Sequence, residues 1–183
     1  KITEVDTVPF GCYKKEVFQK YGLYNEKLVR NQDIELNKRI KRDGGKIVLI
    51  PDTYCIYYAR ETFQSLMKNN YQNGKWNILT VYYTKMFDSL SIRHFVPMLF
   101  VLSLLLPLMF SFVYSPLLFL SMLSVLIYMA LIFLISLKIA LTKKLHLVYL
   151  IATFMCLHFS YGLGSLAGLF KVIRETIGNT AKN

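Results

Sequence analysis

Two apolar runs decide the architecture of this chain: FVPMLFVLSLLLPLMFSFVY at residues 95–114 and PLLFLSMLSVLIYMALIFLISL at residues 116–137. A third apolar run follows at residues 145–170. A helix rises about 1.5 Å per residue, so about 20 apolar residues are enough to cross the hydrocarbon core of a bilayer. Because Ser115 alone separates the first two runs, we expect a tight helical hairpin there. We therefore predict an all-α transmembrane region of two to three helices over residues 95–183.

The charged residues are concentrated before these runs. Residues 1–94 contain 16 Lys and Arg and 10 Asp and Glu, whereas residues 95–183 contain 6 and 1. A mean hydropathy of +0.37 with 18% charged residues fits a water-facing segment attached to a membrane region. The basic loop at residues 138–146 predicts that this loop and residues 1–94 share the cytosolic side of the cell membrane.

The third run leaves an alternative open. Gly162, Gly164 and Gly168 make its second half kinkable, so bending, re-entry and close packing on a neighbouring helix all fit the pattern. If this run crosses the membrane fully, Lys171 and Arg174 would lie outside, against the positive-inside tendency.

Composition excludes several classes of protein. The net charge of +11 is accompanied by no nucleic-acid-binding motif, and basic segments are attracted to cytosolic membrane surfaces. Cys12, Cys55 and Cys156 are odd in number and have no regular spacing, so we expect neither a disulfide framework nor a metal site. No nucleic acid is expected among the partners.

Residues 1–60 have the pattern of an α/β segment. The expected elements are a strand at 2–8 with a turn at Pro9 and Gly11, a helix at 14–21 ended by Gly22, a helix from Asn31 as N-cap to Gly44, a strand at 46–50 and an extended piece at 54–59. From Glu61 the period is helical again, and Lys75, Lys85 and Arg93 bracket an aromatic stretch. We predict that residues 61–94 form a helix in the headgroup region of the membrane.

Asp33 is a candidate general base. At the start of a helix, the amide groups and the helix dipole favour its ionised form, which a base facing a sugar hydroxyl requires. A stabilising carboxylate in the first turn is the simpler interpretation. Glu35 lies about 200° further around the helix and is not a natural second carboxylate.

Gln72, Lys75 and Trp76 share one helical face and are candidate substrate contacts. An indole face suits a sugar ring, an amide suits hydroxyl groups and a cation suits a diphosphate. An interfacial Trp with a snorkelling Lys is the structural alternative. Arg60 is a further candidate phosphate contact, although a surface salt bridge is an equally good explanation.

The order of these motifs resembles the C-terminal half of a membrane-anchored family 2 glycosyltransferase of the kind that builds bacterial exopolysaccharide. The similar stretches, in order, are GCYKKEVFQKYGLYNE at 11–26, NQDIELNKRI at 31–40, YYARETF at 57–63, LMKNNYQNGKW at 66–76 and HFSYGLGSLAGL at 158–169. The family's acidic motif matches Gln32-Asp33, and its QxxRW motif matches Gln72 to Trp76 with Lys75 in place of Arg.

The resemblance implies a fold and an activity. Residues 1–60 would be the acceptor half of a nucleotide-sugar transferase domain of the GT-A-like type. The enzyme would be an inverting glycosyltransferase that moves a sugar from a nucleotide-sugar donor to a lipid-linked or glycan acceptor at the cytosolic membrane face. Asp33 would be the catalytic base, and the substrate would contact Gly11, Arg60 and the Gln72–Trp76 face.

Several features depart from the family. Gln32 replaces an acid, and Lys75 keeps the charge of the usual Arg but loses its bidentate fork. The family implies a divalent ion, Mg²⁺ or Mn²⁺, whose ligands are expected in a donor-binding half before Lys1, so we expect this chain alone to be inactive. The alternative function is a non-catalytic, basic membrane-anchored module that binds a partner or anionic lipid.

Overall fold

A computed structural model describes residues 1–7, 10–52, 54–86 and 94–180. The expected strand end at Val8, the turn at Pro9 and the basic residue Arg93 lie outside these ranges. The described elements are, in chain order, β1 (Thr3–Glu4), α1 (Lys15–Tyr21), α2 (Gln32–Arg42), β2 (Val48–Leu49), α3 (Phe63–Thr84), α4 (Val96–Phe110), α5 (Pro116–Lys143) and α6 (Leu147–Thr180).

The expected α/β fold class is wrong. The chain is about 69% helical, and its two described strands are two residues each. They pair antiparallel, with Thr3 opposite Leu49 and Glu4 opposite Val48. An α/β domain needs parallel strands covered by helices on both faces. Here both strands are exposed, and the extended piece at 54–59 forms no described ladder, so the described residues contain only a two-stranded antiparallel sheet.

The two short helices follow their sequence signals. α1 ends at Gly22, which adopts a φ of 82°, and α2 is followed by Gly44 with a φ of 80°. Such left-handed positions favour glycine, which explains both helix ends. Their small apolar core consists of Leu36, Ile40 and Ile47, with Val5, Tyr13, Val17, Phe18 and Tyr21 packed against it.

α3 and α6 run parallel along the whole length of α3. Four contacts fix this direction: Phe63 with Cys156, Tyr71 with Gly164, Lys75 with Gly168, and Tyr83 with Glu175. The sequence separation of these pairs is 93, 93, 93 and 92 residues. A constant separation means that both helices advance in the same direction and in register. Residues 63–84 therefore pack on another helix, and their place in the headgroup region stays a prediction.

Small residues make this close approach possible. A Cβ atom on Gly74 would meet the backbone of Tyr161, one on Gly164 would meet the backbone of Tyr71, and one on Gly168 would lie 2.7 Å from the carbonyl oxygen of Lys75. Gly164 and Gly168 form a GxxxG pattern, which lets helix backbones approach closely in membrane proteins. Of the three alternatives left open for the third apolar run, the structure shows close packing on a neighbour, within one continuous helix.

α4 and α5 form the expected helical hairpin. Ser121 donates a hydrogen bond of 3.0 Å to the carbonyl oxygen of Leu104, and the rings of Phe100 and Tyr128 stack at 3.9 Å. α4 is shorter than its apolar run, because the helix ends at Phe110. Its 15 residues span about 22 Å, less than the hydrocarbon core. Among the described residues, α5 and α6 are the two helices that are long and apolar enough to cross a membrane.

The C-terminal end of α6 lies beside the N-terminal segment. The Tyr83 hydroxyl donates to Glu175 at 3.0 Å. A polar pocket of about 330 Å³ there is lined by Lys27, Tyr82, Tyr83, Lys85, Glu175 and Asn179. The last turns of α6 therefore lie beside Lys27 of the N-terminal segment.

Candidate functional site

The two carboxylates at the start of α2 have different environments. Asp33 is exposed, and no hydrogen bond or ion pair of its side chain is found within the described part of the chain. Glu35 is buried and lies 2.7 Å from Nε of Arg39, whose Nη2 also donates to the other Glu35 oxygen at 2.9 Å. Arg39 additionally donates to the carbonyl oxygens of Tyr21 and Leu23. Glu35 is thus occupied by a structural ion pair, whereas Asp33 is available to a substrate.

Asp33 borders a shallow depression of about 320 Å³ together with Tyr24 and Gln32. Tyr24 belongs to an aromatic cluster in which its ring lies 6.4 Å from that of Tyr13 and 5.7 Å from that of Phe18. Burial raises the pKa of Tyr13, and the nearby charge of Asp33 acts in the same direction. The aromatic cluster therefore forms a wall next to Asp33.

A buried polar chain supports this wall from behind. The Tyr13 hydroxyl donates to Oδ1 of Asn37 at 2.7 Å, and Nδ2 of Asn37 donates to Thr7 at 2.9 Å. The side chain of Asn37 is fully buried. Because a buried amide is costly unless it is bonded, these contacts fix the position of Tyr13.

Asn31 was expected to cap α2; its position before the helix is confirmed, but the expected hydrogen bond from its side chain to the helix is not made. Asn31 does precede the helix, but its backbone is left-handed with a φ of 64° and its side chain makes no capping bond. Its Nδ2 instead donates to Asn77 at 2.9 Å and to Thr80 at 3.2 Å, both on α3. The side chain that was expected to cap the helix through its oxygen thus joins two distant parts of the chain through its Nδ2.

Arg30 makes a second connection to α3. Its Nη1 donates to Asn73 at 2.5 Å and to Asn69 at 3.2 Å, and its Nη2 donates to Asn69 at 3.3 Å. We call the α3 residues that receive segment 30–31 the asparagine stripe: Asn69, Asn73, Asn77 and Thr80. Through the asparagine stripe, α3 holds Arg30 and Asn31, which lie shortly before Asp33 in the chain.

Gln72, Lys75 and Trp76 are all half-buried on α3. Gln72 follows Asn69 by three residues, and Trp76 follows Asn73 by three, which places each about 60° around the helix from the asparagine stripe. The carbonyl oxygen of Lys75 lies next to Gly168. No hydrogen bond or ion pair of these three side chains is found in the ranges that the structure describes.

The two remaining predicted residues lie elsewhere. Arg60 is exposed, and its Nη1 donates to the Tyr57 hydroxyl at 2.7 Å, which is a local contact. Gly11 lines a separate cavity of about 390 Å³ formed mainly by residues 10–14 and 46–50. The structure therefore brings the start of α2 to the helix that carries Gln72–Trp76, and it brings neither Arg60 nor Gly11 to that place.

The asparagine stripe was missed by sequence reasoning, although a signal was present. Asparagine is a poor helix former, yet it recurs at positions 69, 73 and 77 of one helix. A period of four puts the three amides on one face, and such a face favours a polar partner. That the partner is segment 30–31 is not visible locally, because about 40 residues separate them.

Among the described residues, no group of three or more His, Cys, Asp or Glu side chains lies close enough to hold a metal ion. Comparison with known protein families, with characterised proteins and with solved structures gave no match to this chain. The shown properties are therefore its helical fold and two helices that could cross a membrane.

Proposed function

We propose that this chain is the acceptor side of an inverting, membrane-bound glycosyltransferase of the family 2 type, with Asp33 as the general base. The observation that supports this best is the attachment of segment 30–31 to α3. This attachment joins Gln32-Asp33 at the start of α2 to α3, the helix that carries Gln72–Trp76, as a single site requires. The resemblance described above supplies the reaction, and the geometry is compatible with it.

In the proposed reaction, an acceptor hydroxyl approaches the depression beside Asp33. The carboxylate takes the hydroxyl proton while the oxygen forms a bond to the anomeric carbon of the donor sugar. The bond from that carbon to the diphosphate breaks, and the nucleotide diphosphate leaves with the electron pair. Inversion follows because the acceptor attacks from the face opposite the leaving group.

The surrounding residues have supporting roles in this proposal. The indole of Trp76 offers a stacking surface for a sugar ring, and Gln72 offers an amide for its hydroxyl groups. Lys75 contributes a positive charge near the departing diphosphate. The described residues offer no ligand set for the divalent ion that the family implies, so the proposal concerns the acceptor side.

The membrane helices suggest where the acceptor is found. α5 and α6 would anchor the site in the cytoplasmic membrane, with the catalytic part on the cytosolic side, where nucleotide sugars are made. A lipid-linked or growing glycan acceptor fits this location, and the product would be an exopolysaccharide or its precursor.

Asp33→Asn tests the proposal in the complete reading frame of the gene. Membranes that contain the unmodified protein or Asp33→Asn are incubated with a panel of labelled nucleotide sugars, and the transfer of label to lipid or polymer is measured. Asn keeps the shape of Asp33 but cannot take a proton, so turnover should fall by about 100-fold to 10,000-fold.

The matched control is Asp43→Asn, because Asp43 is a surface carboxylate that pairs with its neighbour Arg42. Glu35→Gln is unsuitable, since it removes a buried partner of Arg39 and would lower stability. If Asp33→Asn retains more than about a third of the turnover at unchanged stability, Asp33 is not a general base. No transfer from any donor by the unmodified protein would instead favour the non-catalytic basic module.

A further inference from the structure

Arg30 is a half-buried cation without an acidic partner. None of the ion pairs among the described residues includes it, and its hydrogen bonds go to the neutral amide oxygens of Asn69 and Asn73. Neutral acceptors position a guanidinium group but leave its full charge in place. Removing a charge from water is costly unless an opposite charge compensates it, so this arrangement favours an anion.

The guanidinium group is also accessible. Arg30 is only half-buried. Its Nε makes no hydrogen bond to another described residue, and it is not among the fully buried atoms that lack a partner, so this N–H group is open to solvent. A guanidinium group presents five N–H donors in a flat fork, which matches the oxygen pairs of phosphate groups.

The position of Arg30 relates it to the proposed reaction. Two residues separate it from Asp33 in the chain, and its partners Asn69 and Asn73 flank Gln72 on α3. Lys75, on the same helix, supplies a point charge where the family motif has Arg. Lys75 follows Asn73 by two residues, about 200° around the helix, so the fork of Arg30 lies on a different face of α3 from the Lys75 side chain.

We propose that Arg30, held by Asn69 and Asn73, binds a diphosphate group. This inference rests on the proposed function, for which it names the phosphate contact that Lys75 cannot supply as a fork. Two sources carry the same chemistry, a nucleoside diphosphate and an isoprenyl diphosphate.

Inorganic pyrophosphate is the first probe. Its binding to the 183-residue chain in detergent is measured by calorimetry at fixed ionic strength with EDTA present, so that metal-dependent sites are silent. We expect saturable 1:1 binding by the unmodified chain. Arg30→Gln should weaken it about tenfold or more, because a charged hydrogen-bonding group is replaced by a neutral one.

Two further variants separate anion binding from a structural role. Asn73→Asp places a carboxylate against Arg30, so it should preserve the connection to α3 but weaken pyrophosphate binding as much as Arg30→Gln does. Arg42→Gln removes an exposed charge of the same type, and its binding should equal that of the unmodified chain. Competition with a nucleoside diphosphate and with a short isoprenyl diphosphate then identifies which source binds more tightly.

Some results would overturn this inference. They are wild-type binding by Asn73→Asp, equal losses in Arg42→Gln and Arg30→Gln, or binding that sulfate at the same ionic strength abolishes. The measurement does not involve Asp33, so it can fail while the general-base proposal stands, and the reverse also holds.

Discussion

Replacement of Gly164 by alanine tests the packing of α3 on α6. The added Cβ atom would lie 2.7 Å from the carbonyl carbon of Tyr71 and 2.9 Å from its Cα, where ordinary contacts begin at 3.4 Å. The neighbouring atoms belong to the backbone of α3, which cannot rotate away as a flexible side chain can. The carbonyl oxygen of Tyr71 is closer still, so the two helices must separate by more than 0.7 Å at this point.

Two opposing effects set the magnitude. Overpacking of this kind costs about 1–3 kcal/mol, and a clash with backbone belongs in the upper part of that range. Alanine gains up to about 1 kcal/mol over glycine in a helix interior. We expect a net loss of about 1–2 kcal/mol, which corresponds to roughly 2–8 °C in Tm for a chain of this size.

The chain contains its own probe and its own control. Trp76 is the single tryptophan and lies on α3, so its fluorescence during heating in detergent reports the state of the α3–α6 pair. A Cβ atom on Gly178 meets nothing within 4 Å, so Gly178→Ala in the same helix should leave Tm unchanged or raise it slightly. If Gly164→Ala melts at or above the temperature of the unmodified chain, the close approach of α3 and α6 is wrong.

Two further outcomes are expected. Tyr13→Phe should lower the free energy of unfolding by about 1–3 kcal/mol in denaturant titrations, because it leaves the buried Asn37 oxygen without a donor. The pKa of Tyr13 is raised in the folded chain, so its contribution is complete below the ordinary tyrosine pKa and is lost as pH rises through the raised value. The stability of the unmodified chain should then fall more steeply above about pH 10 than that of Tyr13→Phe, and parallel curves would contradict this. In intact cells, in a chain whose native cysteines are replaced by serine, Asn179→Cys should be labelled by an impermeant thiol reagent only if Lys27→Cys is labelled too, since both residues line one pocket; labelling of one alone would show that the α6 end is misplaced.

Local signals in the sequence predicted local structure well. Gly22 and Gly44 end their helices because a left-handed residue suits glycine, and that preference needs no distant partner. The short interruption at Ser115 predicted the α4–α5 hairpin, although the linker between the two helices extends over residues 111–115.

The errors arose where a distant residue decides the outcome. Val48, Leu49 and Ile50 have strand composition, but a strand is buried in a sheet only if other strands pair with it and helices cover it, and here all three remain exposed. Asn31 is a residue type that commonly caps helices, yet its side-chain amide donates a hydrogen bond to Asn77, 46 residues away.

The glycines of the third apolar run show the same limit. Their spacing allows a kink, a re-entrant turn or close packing, and the choice depends on the facing helix. Gly74 and Tyr71 on α3 provide that surface some 90 residues earlier in the sequence. The candidate base Asp33 was identified from sequence, while the asparagine stripe that positions its segment required the three-dimensional arrangement.

We expect the start of α2 and the part of α3 that carries Gln72–Trp76 to form one site, and a cross-link tests this most directly. Asn31→Cys and Asn77→Cys are combined in a chain whose three native cysteines are replaced by serine, and a short bifunctional maleimide is added. Because the two side chains are 2.9 Å apart, an intramolecular cross-link should form efficiently and be visible by mass spectrometry. Asn31→Cys with Lys68→Cys is the control, since Lys68 lies about 13 Å further along α3 from Asn77. We predict a higher cross-linking yield for the Asn31–Asn77 pair than for the Asn31–Lys68 pair. Equal yields in the two pairs, or no cross-link in either, would contradict a single site.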